Sequence, residues 1–168
     1  PWNEADALLL AIGEHFVTRA IGEIIEILHG ADLEDLGCGL DVGHTEWISV
    51  STRQYPREQA MKPDFGDGFI VRRDKHGARI VAGGLAYTND CHVDPSGEWL
   101  WVNETFGRRI TRFAVTKRGL GRREVMHEFG PGEFPDGFAF DAEGAAWVAC
   151  VVSNRVIRVA PDGAQQIV

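Results

Sequence analysis

Two residues with side-chain oxygen donors, Asn89 and Asp136, occupy the same place in a repeated stretch of the sequence. Each lies five residues before an aspartate that is followed by a Gly-containing turn and a Trp-bearing apolar segment. An amide carbonyl and a carboxylate are hard donors suited to calcium, magnesium or manganese, and a carboxylate also serves zinc. The pair therefore predicts part of a divalent cation site. The alternative is that both belong to ordinary turns leading into strands, the commonest use of Asn and Asp.

The repeat has three copies, each marked by an aspartate. Asp41, Asp94 and Asp141 are separated by 53 and 47 residues, close to the roughly 40 to 50 residues of a propeller blade. In the first copy the position equivalent to Asn89 and Asp136 is Leu36, which has no side-chain oxygen. The spacing predicts an all-β chain in which each copy forms one four-stranded blade.

The predicted architecture is a partial β-propeller of about three and a half blades. Whole blades are predicted at residues 36–84, 89–130 and 136–168, and part of another at residues 7–30. A closed propeller needs at least four blades, so we expect the chain to be an internal fragment. Its first and last strands would then expose apolar edges, which favours aggregation.

The connectivity of such blades places the three repeat positions and the loops between second and third strands on one face. The first of these loops, residues 51–68, is long and lacks a strand pattern, which favours a functional or lid role. Arg53 lies in it and is a candidate to hold the carboxylate or hydroxyls of a substrate. The alternative for Arg53 is a solvated loop charge.

Composition narrows the function classes. The net charge is −8 and the Lys and Arg residues are scattered along the chain, which argues against a nucleic-acid partner. Three cysteines do not suggest a disulfide scaffold, and we expect a reducing, cytoplasmic location. The sequence contains no run of about 18 apolar residues, so it predicts no membrane span.

Several other residues are predicted to have structural roles. Cys38 and Cys91 fall at matching positions and are predicted to be small buried thiols. Tryptophans recur in the second strand of each copy and are predicted to pack between blades; they are Trp47, Trp101 and Trp147. Glu104 follows Trp101 and is predicted to be an exposed turn carboxylate.

Two segments, LAYTNDCHVDPSGEWLWVNETFGRRITRF and FPDGFAFDAEGAAWVACVVSNRVIRVAPDG, resemble the senescence-marker-protein, gluconolactonase and luciferin-regenerating-enzyme family of six-bladed propellers. The resemblance covers about residues 38–168 and implies that Asp136, in its PDG motif, and Asn89 bind one divalent cation near the axis. Calcium is the first expectation, with zinc, magnesium and manganese as alternatives. A glutamate completes the protein ligands in the family, and its position would lie upstream of Pro1. We therefore expect residues 1–168 to be inactive alone.

The chain departs from the family pattern at two positions. Family members often carry an asparagine that contacts substrate or metal-bound water where this chain has Leu36. The usual Asn-Gly is here Asn89-Asp90.

The resemblance implies a metal-dependent lactonase acting on a small lactone. In such an enzyme the cation polarises the ring carbonyl and activates a water, while Asp136 serves as both ligand and base. An alternative of a different class is a non-catalytic propeller that binds a ligand or a protein. A second alternative is a strictosidine-synthase-like propeller. The pair Asn89 and Asp136 favours the lactonase, because a binding module needs no oxygen ligands at the axis and strictosidine-synthase-like proteins usually alter the ligand set.

Overall fold

The protein forms three four-stranded antiparallel sheets, in a computed structural model that describes residues 36–40 and 45–168. The predicted all-β class is confirmed. The partial blade predicted at residues 7–30 and the first repeat aspartate, Asp41, lie outside the described residues.

Each sheet is built from four strands that follow one another in the chain. The first sheet contains β1 (Leu36–Leu40), β2 (Glu46–Val50), β3 (Gly68–Asp74) and β4 (Gly77–Leu85). The second contains β5 (Thr88–Val93), β6 (Trp99–Glu104), β7 (Arg109–Thr116) and β8 (Gly119–Glu128). The third contains β9 (Pro135–Phe140), β10 (Ala146–Cys150), β11 (Arg155–Val159) and β12 (Gln165–Ile167). A short 3₁₀ helix, Arg57–Ala60, lies between β2 and β3.

The sheets are arranged as consecutive blades. The first strands of successive sheets contact each other, β1 against β5 and β5 against β9. Up-and-down sheets that meet along their first strands are the repeating unit of a propeller. This arrangement brings the beginnings of β5 and β9 together. No helix in the described ranges is long and apolar enough to cross a membrane.

Two of the repeat aspartates, Asp94 and Asp141, close the turn between the first two strands of their sheet. Asp94 Oδ1 accepts hydrogen bonds from the Ser96 hydroxyl at 2.8 Å and from the backbone N of Trp99 at 3.2 Å. Asp141 Oδ1 accepts from the backbone N of Ala145 at 2.9 Å. An Asx turn of this kind satisfies amides that the sheet ladder leaves unpaired. The motif that makes the repeat visible therefore has a structural role.

Apolar side chains fill the space between neighbouring sheets. Trp47 is 1% exposed and packs with Leu100 and Phe113 of the second sheet. Trp101 is equally buried and packs with residues of the third sheet. Cys91 is fully buried in the first of these interfaces, which confirms its prediction as a buried thiol.

Trp147 belongs to the last described sheet and is 39% exposed. Its predicted packing between two blades stays a prediction. Its indole Nε1 donates to Asp141 Oδ2 at 2.9 Å.

Glu104 is fully buried, so its prediction as an exposed turn carboxylate is wrong. Its carboxylate accepts a hydrogen bond from the backbone N of Ala86 at 2.6 Å and two from the guanidinium of Arg109 at 2.7 and 2.8 Å. The Thr111 hydroxyl also donates to it. Burial alone would raise the pKa of Glu104, but these donors outweigh it and lower the pKa. The carboxylate therefore stays ionised and joins the first sheet to the second.

Replacing Glu104 by alanine is expected to destabilise the fold by about 3 to 5 kcal/mol, because Arg109 would be left without its buried partner. Glu124 provides a matched control, since its ion pairs with Arg112 and Arg122 are more exposed. Glu124→Ala is expected to cost about 1 kcal/mol or less. Urea unfolding of both variants measures the difference, and equal costs would contradict the role given to Glu104.

Asp141 makes the stability depend on pH. The hydrogen bond from Trp147, together with those from Ala145 and Arg158, lowers the pKa of Asp141 to about 2, compared with about 3.9 in an unfolded chain. A lowered pKa in the folded state stabilises the protein above about pH 4, and this contribution is lost as the pH falls towards 2. Asp141→Asn should therefore lose stability at about pH 6 and differ less from the parent at about pH 2. Urea unfolding at both pH values checks this, and an equal deficit at both would contradict it.

Candidate functional site

The structure brings Asn89 and Asp136 into direct contact across two sheets. Asn89 lies on β5 and Asp136 on β9, and the Asn89 side-chain Nδ2 donates a hydrogen bond to Asp136 Oδ1. Both residues are partly buried. The other carboxylate oxygen, Asp136 Oδ2, makes no hydrogen bond to the described residues. Two oxygen-bearing side chains from separate blades thus converge at one point.

A β-bulge lies at the site in both strands. Thr88 pairs with Glu104 and Cys91 pairs with Val102, so Asn89 and its neighbour together oppose one residue of β6. In β9, Pro135 pairs with Cys150 and Phe138 pairs with Val148, so Asp136 and its neighbour together oppose one residue of β10. A bulge of this kind changes the direction of a side chain.

The first two strands of the first sheet have no such bulge. Leu36 pairs with Val50 in regular register, and the next two residues of β1 continue the ladder. The two blades with an oxygen donor therefore share a bulge between their first two strands that the blade with Leu36 lacks.

Side chains of the first blade hold the beginning of β5. The Ser49 hydroxyl donates to the backbone carbonyl of Asn89, and the Ser51 hydroxyl donates to the carbonyl of Thr88 at 2.6 Å. Both serines are buried.

The second blade holds the beginning of β9 in the same way. The Asn103 side-chain Nδ2 donates to the carbonyl of Asp136 at 2.5 Å, and the Thr105 hydroxyl donates to the carbonyl of Pro135 at 2.8 Å. We call these two pairs of donors, Ser49 with Ser51 and Asn103 with Thr105, the carbonyl latches. Each latch fixes the backbone of one candidate ligand by a side chain of the preceding blade.

The latches are visible in the sequence, although sequence reasoning did not identify them. Their donors lie two and four residues after Trp47 and after Trp101. The corresponding positions after Trp147 are Ala149 and Val151, which have no side-chain donor. The constant spacing of these hydrogen-bond donors after each tryptophan is the sequence signal that could have predicted the latches.

Asp90, where the chain departs from the Asn-Gly pattern, makes a further link between the two blades. Its Oδ2 accepts a hydrogen bond from the backbone N of Phe138 at 3.1 Å and lies 2.9 Å from His92 Nε2. The His92 ring also packs edge-on against the Phe138 ring. Asp90 therefore holds β5 against β9 beside the candidate ligands.

Arg53 does not contact Asn89 or Asp136. Its guanidinium stacks over the Phe69 ring at 4.3 Å from the centroid and makes no hydrogen bond to the described residues. The base of its loop is closed by Asp67, whose Oδ2 accepts from the Thr52 hydroxyl and from the backbone N of Arg53, both at 2.9 Å. Gly68 follows at a point where two backbone segments approach each other closely. A Cβ at this position would lie 2.8 Å from the Leu85 carbonyl oxygen.

The side-chain oxygens at this site suit a hard divalent cation. Asn89 and Asp136 supply an amide and a carboxylate, and the side-chain Oδ1 of Asn103 beside them is buried without a partner in the described ranges. Calcium takes about six to eight oxygen ligands, so these residues fill part of its shell. Among residues 36–40 and 45–168, no group of three or more His, Cys, Asp and Glu side chains is placed to hold a metal by itself.

Comparison with known proteins gives a family match. Residues 42–167 match the family described as "SMP-30/Gluconolactonase/LRE-like region". A 6-deoxy-6-sulfogluconolactonase of Pseudomonas putida is 34% identical over 104 residues, which cover 60% of this chain and 36% of that protein.

Solved structures share the fold. A calcium-binding protein, regucalcin, of Agrobacterium tumefaciens has a TM-score of 0.65 and 23% identity, over 80% of this chain and 45% of that one. A gluconolactonase of Xanthomonas campestris has a TM-score of 0.61 and 22% identity, over 77% of this chain and 44% of that one. This chain thus spans less than half of the length of these relatives.

Removing a latch donor is expected to destabilise the beginning of β9. Asn103→Ala leaves the partly buried Asp136 carbonyl without its donor, which costs about 1 kcal/mol. Gln59→Ala, on the exposed face of the 3₁₀ helix, is the control and should change stability by about 0.5 kcal/mol or less. Urea unfolding compares them, and hydrogen exchange of the Phe138 amide should speed up in Asn103→Ala. An unchanged exchange rate would show that Asn103 does not hold this strand.

Proposed function

The chain belongs to the SMP-30/Gluconolactonase/LRE-like family, and on that basis we propose that its protein is a divalent-metal-dependent hydrolase of a small lactone. Family membership supports lactone hydrolysis as the general activity. For this chain, the proposal rests on the contact between Asn89 and Asp136. It brings together a neutral amide and a carboxylate from adjacent blades, and the oxygens of both groups are hard metal ligands.

Asn89 and Asp136 are the residues that we propose as metal ligands. When bound, a divalent cation would act as a Lewis acid on the lactone carbonyl. Calcium is the first candidate, because a relative with the same fold is described as calcium-binding; zinc, magnesium and manganese are alternatives. The latches support this role because they fix the backbone of both residues before any ligand arrives.

Asp136 is also the proposed general base. Its Oδ1 is occupied by the amide of Asn89, while Oδ2 makes no hydrogen bond to the described residues and is available to take a proton from the attacking water. The Asn103 amide holds the Asp136 main chain, so the carboxylate keeps its direction during proton transfer. A base held in this way contributes typically about 10²- to 10⁴-fold to a rate.

The substrate is proposed to be a lactone of a small hydroxy acid, in keeping with the relatives named as gluconolactonase and sulfogluconolactonase. Arg53 is the proposed contact for its carboxylate or hydroxyl groups. Its guanidinium has no carboxylate partner in the described ranges, being stacked on Phe69, and so retains its hydrogen-bond donors for a ligand.

Two substitutions separate the roles of the candidate ligands. Asp136→Asn keeps an oxygen donor but removes charge and basicity, so metal affinity should fall and lactone hydrolysis should fall by about 10²- to 10⁴-fold. Asn89→Ala should chiefly weaken metal binding, so excess metal should restore part of its activity but not that of Asp136→Asn. The assay uses five- and six-membered lactones with the longest natural chain that contains residues 1–168.

Asp162→Asn is the matched control, because Asp162 is an exposed turn carboxylate that accepts a hydrogen bond from the Ala164 amide. It should hydrolyse lactones at the parent rate. If Asp136→Asn and Asn89→Ala also reach the parent rate, the proposed site is wrong, and a non-catalytic binding propeller becomes the better account.

A further inference from the structure

A cavity of about 500 Å³ lies at the opposite end of the strands from Asn89 and Asp136. It is bordered by the turn between β3 and β4 and by the turn between β7 and β8. Four cationic side chains line it, accompanied by one carboxylate: Arg72, Lys75, Arg79, Lys117 and Asp74. Among the lining residues that the structure describes, three positive charges are therefore in excess, in a chain whose net charge is −8.

The equivalent positions of the other two sheets do not place like charges opposite each other. In each sheet the second-strand tryptophan pairs with an arginine of the third strand, and the arginines are Arg72, Arg112 and Arg158. The residue opposite that arginine on the fourth strand is Glu124 in the second sheet and Gln166 in the third. In the first sheet it is Arg79. Like charges directly opposite each other in a sheet are destabilising.

Asp74 holds the two guanidinium groups together but does not neutralise them. Its Oδ2 lies 3.1 Å from Arg79 Nη2 and 3.2 Å from Arg72 Nε. The Arg72 Nη1 donates to the backbone carbonyl of Lys117 at 3.1 Å, which joins the two turns that border the cavity. Arg112 shares Glu124 with Arg122, and Arg158 has two carboxylates, Asp141 and Glu143. Among the described residues, Arg72 and Arg79 share Asp74 alone.

Arg72 is oriented before any ligand binds. Its side chain is only 12% exposed and its guanidinium lies over the Trp47 ring at 5.5 Å from the centroid. Arg79, at 41% exposed, and the exposed lysines complete a rim that solvent can reach. A buried arginine beside more exposed cations is a combination suited to an anion with several oxygens.

We propose that this cavity binds a small dianion, namely a phosphate group, either free or as a monoester. A dianion compensates most of the excess charge and removes the repulsion between Arg72 and Arg79. Guanidinium groups match the geometry of phosphate oxygens. The cavity is larger than phosphate itself and has the size of a small-molecule site, which leaves room for the organic part of a monoester. The proposal is independent of lactone hydrolysis, because the cavity shares no residue with that site.

Isothermal titration calorimetry at constant ionic strength tests the proposal with three probes: inorganic phosphate, glycerol 3-phosphate and malonate. Arg79→Glu recreates the Arg–Glu pairing of the second sheet and should weaken phosphate binding by at least about tenfold. The same variant also loses the ion pair between Arg79 and Asp74, so urea unfolding in phosphate-free buffer serves to check that it is folded. Lys62→Glu, which makes the same change in net charge in the exposed loop between β2 and β3, should leave phosphate binding unchanged.

The result expected is saturable binding of phosphate or its monoester, weaker binding of malonate, and loss in Arg79→Glu alone. Tighter binding of glycerol 3-phosphate than of inorganic phosphate would assign the site to a monoester, and the reverse order to free phosphate. Should Arg79→Glu fail to fold, Lys117→Gln takes its place and should also weaken binding. No saturable binding by the parent, binding equal to that of malonate, or equal loss in Lys62→Glu would overturn the proposal.

Discussion

The carbonyl latches are the interaction on which the candidate site depends. At a β-bulge two residues oppose one, so the regular ladder cannot satisfy every backbone group, and buried carbonyls must find another donor. In β5 and β9 that donor comes from a side chain of the preceding blade, Ser49 for Asn89 and Asn103 for Asp136. The same hydrogen bonds satisfy the bulge, join neighbouring blades and fix the two side chains that meet at the site.

The buried carboxylate of Glu104 extends this network into the fold. Glu104 follows Asn103 directly, and its oxygens accept from the Ala86 amide, at the connection between the first two sheets, and from Arg109 on β7. A buried ion pair contributes little net stability but is costly to break. Its clearest effect here is positional, since it holds the end of β6 from which Asn103 and Thr105 reach the next blade.

The repeat made much of this organisation predictable, because residue type and spacing alone placed Asn89 and Asp136 at equivalent positions, and the structure brings them into contact. Long-range pairing was not predictable. Glu104 reads as an exposed turn residue until the register of β6 and β7 places Arg109 beside it. Three cations of the proposed phosphate cavity lie close together in the sequence, from Arg72 to Arg79, but Lys117 lies 45 positions after Arg72, which conceals that two turns meet.

The site proposed above has Asn89 and Asp136 as two ligands of one divalent cation. Anomalous diffraction from crystals of the longest natural chain, grown with manganese and compared with calcium-grown crystals, tests this assignment. We expect one strong manganese peak within about 2.6 Å of side-chain oxygens of both residues, and its loss in Asp136→Asn crystals. A peak bound elsewhere, or none near the Asn89 and Asp136 pair at saturating metal, would contradict it.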